Sequence, residues 1–167
     1  MKRRVPEEEE VLKFIEIAKR CVTRSEVASA FDISYTSSAK LLESLYEKLL
    51  VWKRVHWITP KVYRISYCPY EMLKREIESF IKEKGETTEP EIIREMETGR
   101  KIVEKALSEL TLERKVWRLI KRITKTLYTV RYYPPVLYRT MLALLIYARE
   151  PDRKTPDPIR GLAPREM

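Results

Sequence analysis

The stretch TRSEVASAFDISYTSSAKLLESLYEKLLVWKRVHWITPKVYRISY (residues 23–67) has a gapless counterpart 65 positions later, TEPEIIREMETGRKIVEKALSELTLERKVWRLIKRITKTLYTVRY (residues 88–132). Thr23 falls on Thr88, Glu26 on Glu91, Lys40 on Lys105, Leu42 on Leu107 and Leu45 on Leu110. Val51 falls on Val116, Trp52 on Trp117, Thr59 on Thr124, Tyr63 on Tyr128 and Tyr67 on Tyr132. A fixed period of this kind means one supersecondary unit used twice. The 167 residues are therefore read as two small units rather than one domain.

Within the first unit, Val11, Leu12, Ile15 and Ala18 recur at helical spacing after Pro6, predicting a helix over 7–19. Thr23 and Glu26 form a capping box that opens a short second helix ending near Phe31. A turn at Asp32-Ile33-Ser34 leads into a third helix, 35–49, with Ala39, Leu42, Leu45 and Leu49 on its inner face. The period then changes to two, and Val51 to His56 and Val62 to Ser66 read as the strands of a hairpin. The second unit predicts helices at 70–84, 88–96 and 98–114 and strands at 116–121 and 126–131, with its own capping box at Thr88 and Glu91.

Three helices followed by a basic hairpin, twice over, resemble the winged helix-turn-helix superfamily in a tandem, archaeal-type arrangement. The resemblance implies an α+β, mostly helical fold: module 1 at 6–69, module 2 at 70–133, a C-terminal helix at 136–149 and a disordered tail at 150–167. It also implies binding of double-stranded DNA as a transcription regulator, with third helices in the major groove and hairpin wings on phosphate. The wing tips, 57–61 and 122–126, lack the glycine or aspartate common in that superfamily.

The net charge of +9 is unevenly placed. Residues 51–70 carry four basic side chains and no acid, and residues 114–131 carry seven and none, whereas the segments around them are balanced or acidic. Basic blocks between balanced ones point to a polyanion. The wing cations are Lys53, Arg54, Lys61 and Arg64, then Arg114, Lys115, Arg118, Lys121, Arg122, Lys125 and Arg131. At the start of the first third helix, Ser34 reads as the cap, and Tyr35, Thr36, Ser37 and Lys40 as DNA contacts. The matching positions of the second are Gly99, Arg100, Lys101, Glu104 and Lys105. Arg100 suits guanine, against the alternative of an ordinary pair with Glu104. The chain has no Asn or Gln, so bidentate adenine contacts are closed to it and sequence-tolerant binding is expected.

The remaining features narrow the function class. One histidine, three aspartates and no glycine-rich phosphate loop argue against an enzyme, a metal site, a cofactor or a small-molecule ligand. No run of apolar residues is long enough to span a bilayer, and the amino terminus runs into acid, which points to the cytoplasm. The missing amides and 35% charged residues match a thermophile bias. Cys21 and Cys68 read as buried free thiols. Trp52 and Trp117, with Tyr63 and Tyr128, read as packing residues, the tryptophans against the first helix of each unit. Val136 to Arg149 is apolar on more than one face and aligns with the first helix of a unit that does not continue, which predicts a homodimer contact. The rival reading is a tandem winged-helix subunit for protein contact, as in segregation, membrane-remodelling or RNA polymerase-associated complexes, since fold alone does not choose.

Overall fold

The computed structural model describes residues 5–149, and the 150–167 tail lies outside them. The first unit comprises α1 (Glu8–Ala18), α2 (Arg24–Ala30), α3 (Tyr35–Glu47), β1 (Val51–Thr59) and β2 (Val62–Pro69). The second comprises α4 (Tyr70–Lys84), β3 (Thr87–Thr88), α5 (Glu89–Glu95), α6 (Arg100–Leu112), β4 (Trp117–Arg122) and β5 (Tyr128–Tyr133). Helix α7 (Pro135–Arg149) follows. The fold is α+β, each unit a winged-helix arrangement of three helices and an antiparallel hairpin.

The repeat extends to the backbone. Both second helices open on reciprocal capping boxes, Thr23 with Glu26 and Thr88 with Glu91, which satisfy amide groups the helix leaves unpaired. Helices α2, α3, α5 and α6 all end with a left-handed residue: Asp32 (φ 50°), Leu49 (57°), Glu97 (49°) and Arg114 (58°). Beyond each, an N–H reaches back five residues, as from Leu50 to the Leu45 carbonyl and from Lys115 to that of Leu110, the Schellman ending. Four matching corners fix the same helix-to-helix and helix-to-strand directions in both units. The wing tips close without glycine because Thr59 and Thr124, one repeat apart, accept N–H bonds from Val62 (3.1 Å) and Leu127 (3.0 Å).

A short pairing to the start of α2 or α5 ties each hairpin down. Val22 bridges Tyr67 in the first unit, and β3 pairs with β5 in the second, giving the sheet order β3-β5-β4. The Val22–Tyr67 bridge brings Cys21 beside Cys68, and the two form a disulfide across 47 residues of sequence. The free-thiol reading is therefore wrong. Sequence spacing hid the pair because a single bridge, not a regular strand, makes the two residues neighbours.

Two apolar clusters form the interior. Val11, Ile15, Val22, Val27, Leu42, Leu45, Val51 and Tyr67 make the first. The second contains Leu73, Ile77, Ile81, Ile92, Ile102, Val103 and Leu110, and it also takes Trp52 and Cys68 from the preceding hairpin. Trp52 thus packs into the following unit rather than against α1, and its indole Nε1 donates to the Met96 carbonyl at 3.2 Å. Alternation along β1 puts Val51 in one core and Trp52 in the next, which joins the units.

Candidate functional site

Where the hairpin of the first unit meets the α5–α6 turn of the second, backbone as well as side chains engage. The Val55 N–H donates to the Glu97 carbonyl at 2.9 Å, and the Thr98 hydroxyl donates to the Lys53 carbonyl at 2.7 Å. Gly99, which caps α6, lies so near Tyr46 that a Cβ there would stand 2.3 Å from the phenol oxygen. The Lys105 ammonium donates to the Leu49 carbonyl at 2.8 Å and sits 4.3 Å from the centre of the Tyr70 ring. The first unit thus covers part of the start of the second third helix, the end that a helix-turn-helix presents to bases.

Carboxylates of the chain itself engage several of the cations expected on DNA. The Lys53 ammonium donates to both oxygens of Glu43 at 2.8 Å. Glu43 also accepts from Arg24 and the Tyr67 hydroxyl, each at 2.6 Å. Burial pushes the Glu43 carboxyl up, but these bonds outweigh it and hold it below its ordinary value. Arg54 and His56 share Glu97, each at 2.8 Å, and again their bonds outweigh burial and lower that carboxyl. Arg100 lies 2.8 Å from both Glu89 and Glu104, so the ordinary pair is present along with a second one.

The rest of the expected site is open. Tyr35, Thr36 and Lys40 are exposed at the start of α3, and Ser37 donates its N–H to the Ser34 cap at 3.0 Å. No carboxylate among the described residues lies within ion-pair distance of Lys40, Lys61, Arg64, Lys101, Arg118, Lys121 or Lys125. Arg122 instead holds the second wing tip, donating at 3.0 Å to the carbonyls of Thr124 and Lys125 and covering the Tyr128 ring. Arg114 is exposed, while Lys115 pairs with Glu113, and Arg131 with Glu86.

The wings also expose apolar side chains that the sequence pattern assigns to the core or does not single out. Tyr63 and Tyr128 are 52% and 55% exposed, so the packing reading fails for both. They fall beyond the reach of the helices, toward the tips of their hairpins. Beside them Trp57, Ile58 and Val62 on the first wing, and Ile120, Ile123 and Leu127 on the second, are also exposed. Trp57 packs on Tyr63 with ring centres 5.0 Å apart. A signal was available: these residues sit at or next to the hairpin tips, at the ends of the strands farthest from the helices.

No group of His, Cys, Asp and Glu able to hold a metal ion occurs among the described residues. No helix among them is long and apolar enough to cross a membrane.

Fold and surface together define a tandem winged-helix protein with basic, apolar-tipped hairpins. No protein-family model matches the chain, and no curated protein does. Among solved structures it is similar to ScpB from Mycobacterium tuberculosis, at 13% identity over 82% of this chain and 97% of that one, with a TM-score of 0.32. At that score the likeness adds nothing to the fold read from the chain's own elements.

Proposed function

We propose that this protein is a protein-contact subunit whose wings dock on partner polypeptides, rather than a transcription regulator. The observation that carries the reading is the surface of the wings. Eight large apolar side chains stand exposed on two hairpins, and clustered exposure of this kind marks contact with another protein. The occupied cations support it. Lys53, Arg54, Arg100 and Lys105 are engaged within the chain, so a phosphate would have to displace existing partners. α7 offers a further contact, since Val136, Leu137, Leu142 and Leu144 are exposed, and a second copy pairing there is one way to cover them. Nothing in this reading calls for a cofactor or for catalysis.

Binding of double-stranded DNA is the second reading. It is favoured by the unpaired Lys121, Lys125 and Arg118 of the second wing and by the open start of α3 with Tyr35, Thr36 and Lys40. One experiment separates the two. A photoreactive residue replaces Trp57 or Ile123 in the full chain, cells are irradiated, and the adducts are treated with nuclease or protease. Polypeptide adducts that survive nuclease are expected. Adducts that nuclease removes, together with tight binding to random duplex that weakens steeply with salt, would overturn the proposal in favour of DNA.

A further inference from the structure

The contact between the two units has a counterpart one repeat further on, and among the described residues that counterpart is open. At the first boundary the outer edge of β1 receives the α5–α6 turn: the Val55 N–H meets the Glu97 carbonyl, while Arg54 and His56 hold the Glu97 carboxylate. The equivalent edge is β4, the outer strand of its sheet. Ile120 faces Val130 as Val55 faces Ile65, so its N–H points outward in the same way. Nothing among the described residues accepts it. Lys121 stands one repeat after His56 and has no carboxylate beside it.

A second vacancy lies next to the first. α4 follows the first hairpin, and its Ile77 is fully buried in the cluster that α5 and α6 complete with Ile92, Ile102, Val103 and Ala106. α7 follows the second hairpin at the same offset of 65, Pro135 matching Tyr70 at the helix start. Leu142, the counterpart of Ile77, is 46% exposed. Among the described residues, no pair of helices stands against the β4 edge and Leu142 as α5 and α6 stand against β1 and Ile77.

Resting on the protein-contact reading, we infer that a partner chain supplies that pair: two helices joined by a short turn, with a carboxylate at the turn. The helices cover Leu142 on α7, the turn gives a backbone carbonyl to the Ile120 N–H, and its carboxylate pairs with Lys121. The chain's own α5-Glu97-α6 element shows what such an occupant looks like. The charge is complementary, because residues 114–131 carry seven cations and no acid. A second copy of this chain fits less well in this mode, since its α1 would claim the place that α7 already fills.

The test uses the full chain with a photoreactive residue at Leu142 or Ile120. Adduct peptides mapping to a helical hairpin with an acidic turn are expected at both positions. Lys121→Glu is expected to reduce the adduct about tenfold, the effect of about 1.4 kcal/mol, and reversing the partner's turn carboxylate to lysine is expected to restore it. Lys121 is exposed, and an unchanged melting curve establishes that Lys121→Glu is folded. Adducts to α7 of a second copy, or to a polypeptide without a helical hairpin, overturn this inference and leave the protein-contact reading standing. Adducts to nucleic acid overturn both.

Discussion

Gly99→Ala is the sharpest probe of the junction between the units. Gly99 has φ −79° and ψ 155°, which alanine adopts without backbone strain, so the penalty combines lost space with the poorer fit of alanine at a helix N-cap. The added Cβ would stand 2.3 Å from the Tyr46 phenol oxygen but 3.6 Å from the ring carbon bearing it. The first distance is far inside van der Waals contact and the second is ordinary. Overpacking of this kind costs about 1–3 kcal/mol, and for a chain of this size each kcal/mol lowers the melting temperature by about 2–4 °C. Removing the phenol oxygen removes the clash, so Gly99→Ala in a Tyr46→Phe background is expected to keep only the smaller cost of replacing a glycine N-cap by alanine, under about 1 kcal/mol. Thermal or urea unfolding of the four proteins gives the coupling directly. An equal loss in both backgrounds would refute the close approach of Tyr46 to α6 and, with it, the argument that the second third helix is partly covered.

Two further predictions concern stability. The Cys21–Cys68 bridge closes a sequence separation of 47, for which the chain-entropy relation gives about 4 kcal/mol. Urea midpoints with and without a dithiol reductant, or for a Cys21→Ser/Cys68→Ser chain, should therefore differ clearly, and coincident curves would mean the bridge restrains nothing. The capping boxes predict acid sensitivity. The Lys84 bond, with bonds from Thr88, holds the Glu91 carboxyl at about 2, and the Thr23 amide and Arg20 lower Glu26. Folded values below the unfolded ones mean that this stabilisation is complete above the unfolded carboxylate value. It is lost as pH falls toward 2. Glu91→Gln is expected to flatten the fall of the melting temperature over that window, and an unchanged slope would count against the capping box.

Much of the fold was legible because local signals repeat. The two capping boxes, the 3.6-residue stripes of α3 and α6 and the change to alternation at Val51 and Val116 each have a short-range cause, and the observed elements follow them closely. What could not be read is long-range. Cys21 and Cys68 meet through one bridge between Val22 and Tyr67, and no spacing rule encodes that. Trp52 looked equivalent to Trp117, but it is the residue at the join and belongs to the next core. The candidate cations failed to sort for the same reason. Lys53 and Lys61 are alike in sequence, and only the fold places Glu43 beside the first. Tyr63 and Tyr128 read as packing residues because they recur at the same place in both repeats, whereas both lie near the hairpin tips, away from the helices.

The left-handed corners carry a consequence for how readily this protein can change. Glycine would turn each at no steric penalty, yet Asp32, Leu49, Glu97 and Arg114 stand there. At Leu49 and Glu97 the side chain makes a contact that glycine could not, since Leu49 packs on the second core and Glu97 holds Arg54 and His56. Local relaxation and long-range cohesion thus oppose each other at these two positions. Glycine at Leu49 or Glu97 would ease the bend and weaken the join, so drift toward the more comfortable backbone is checked by the neighbour across the seam.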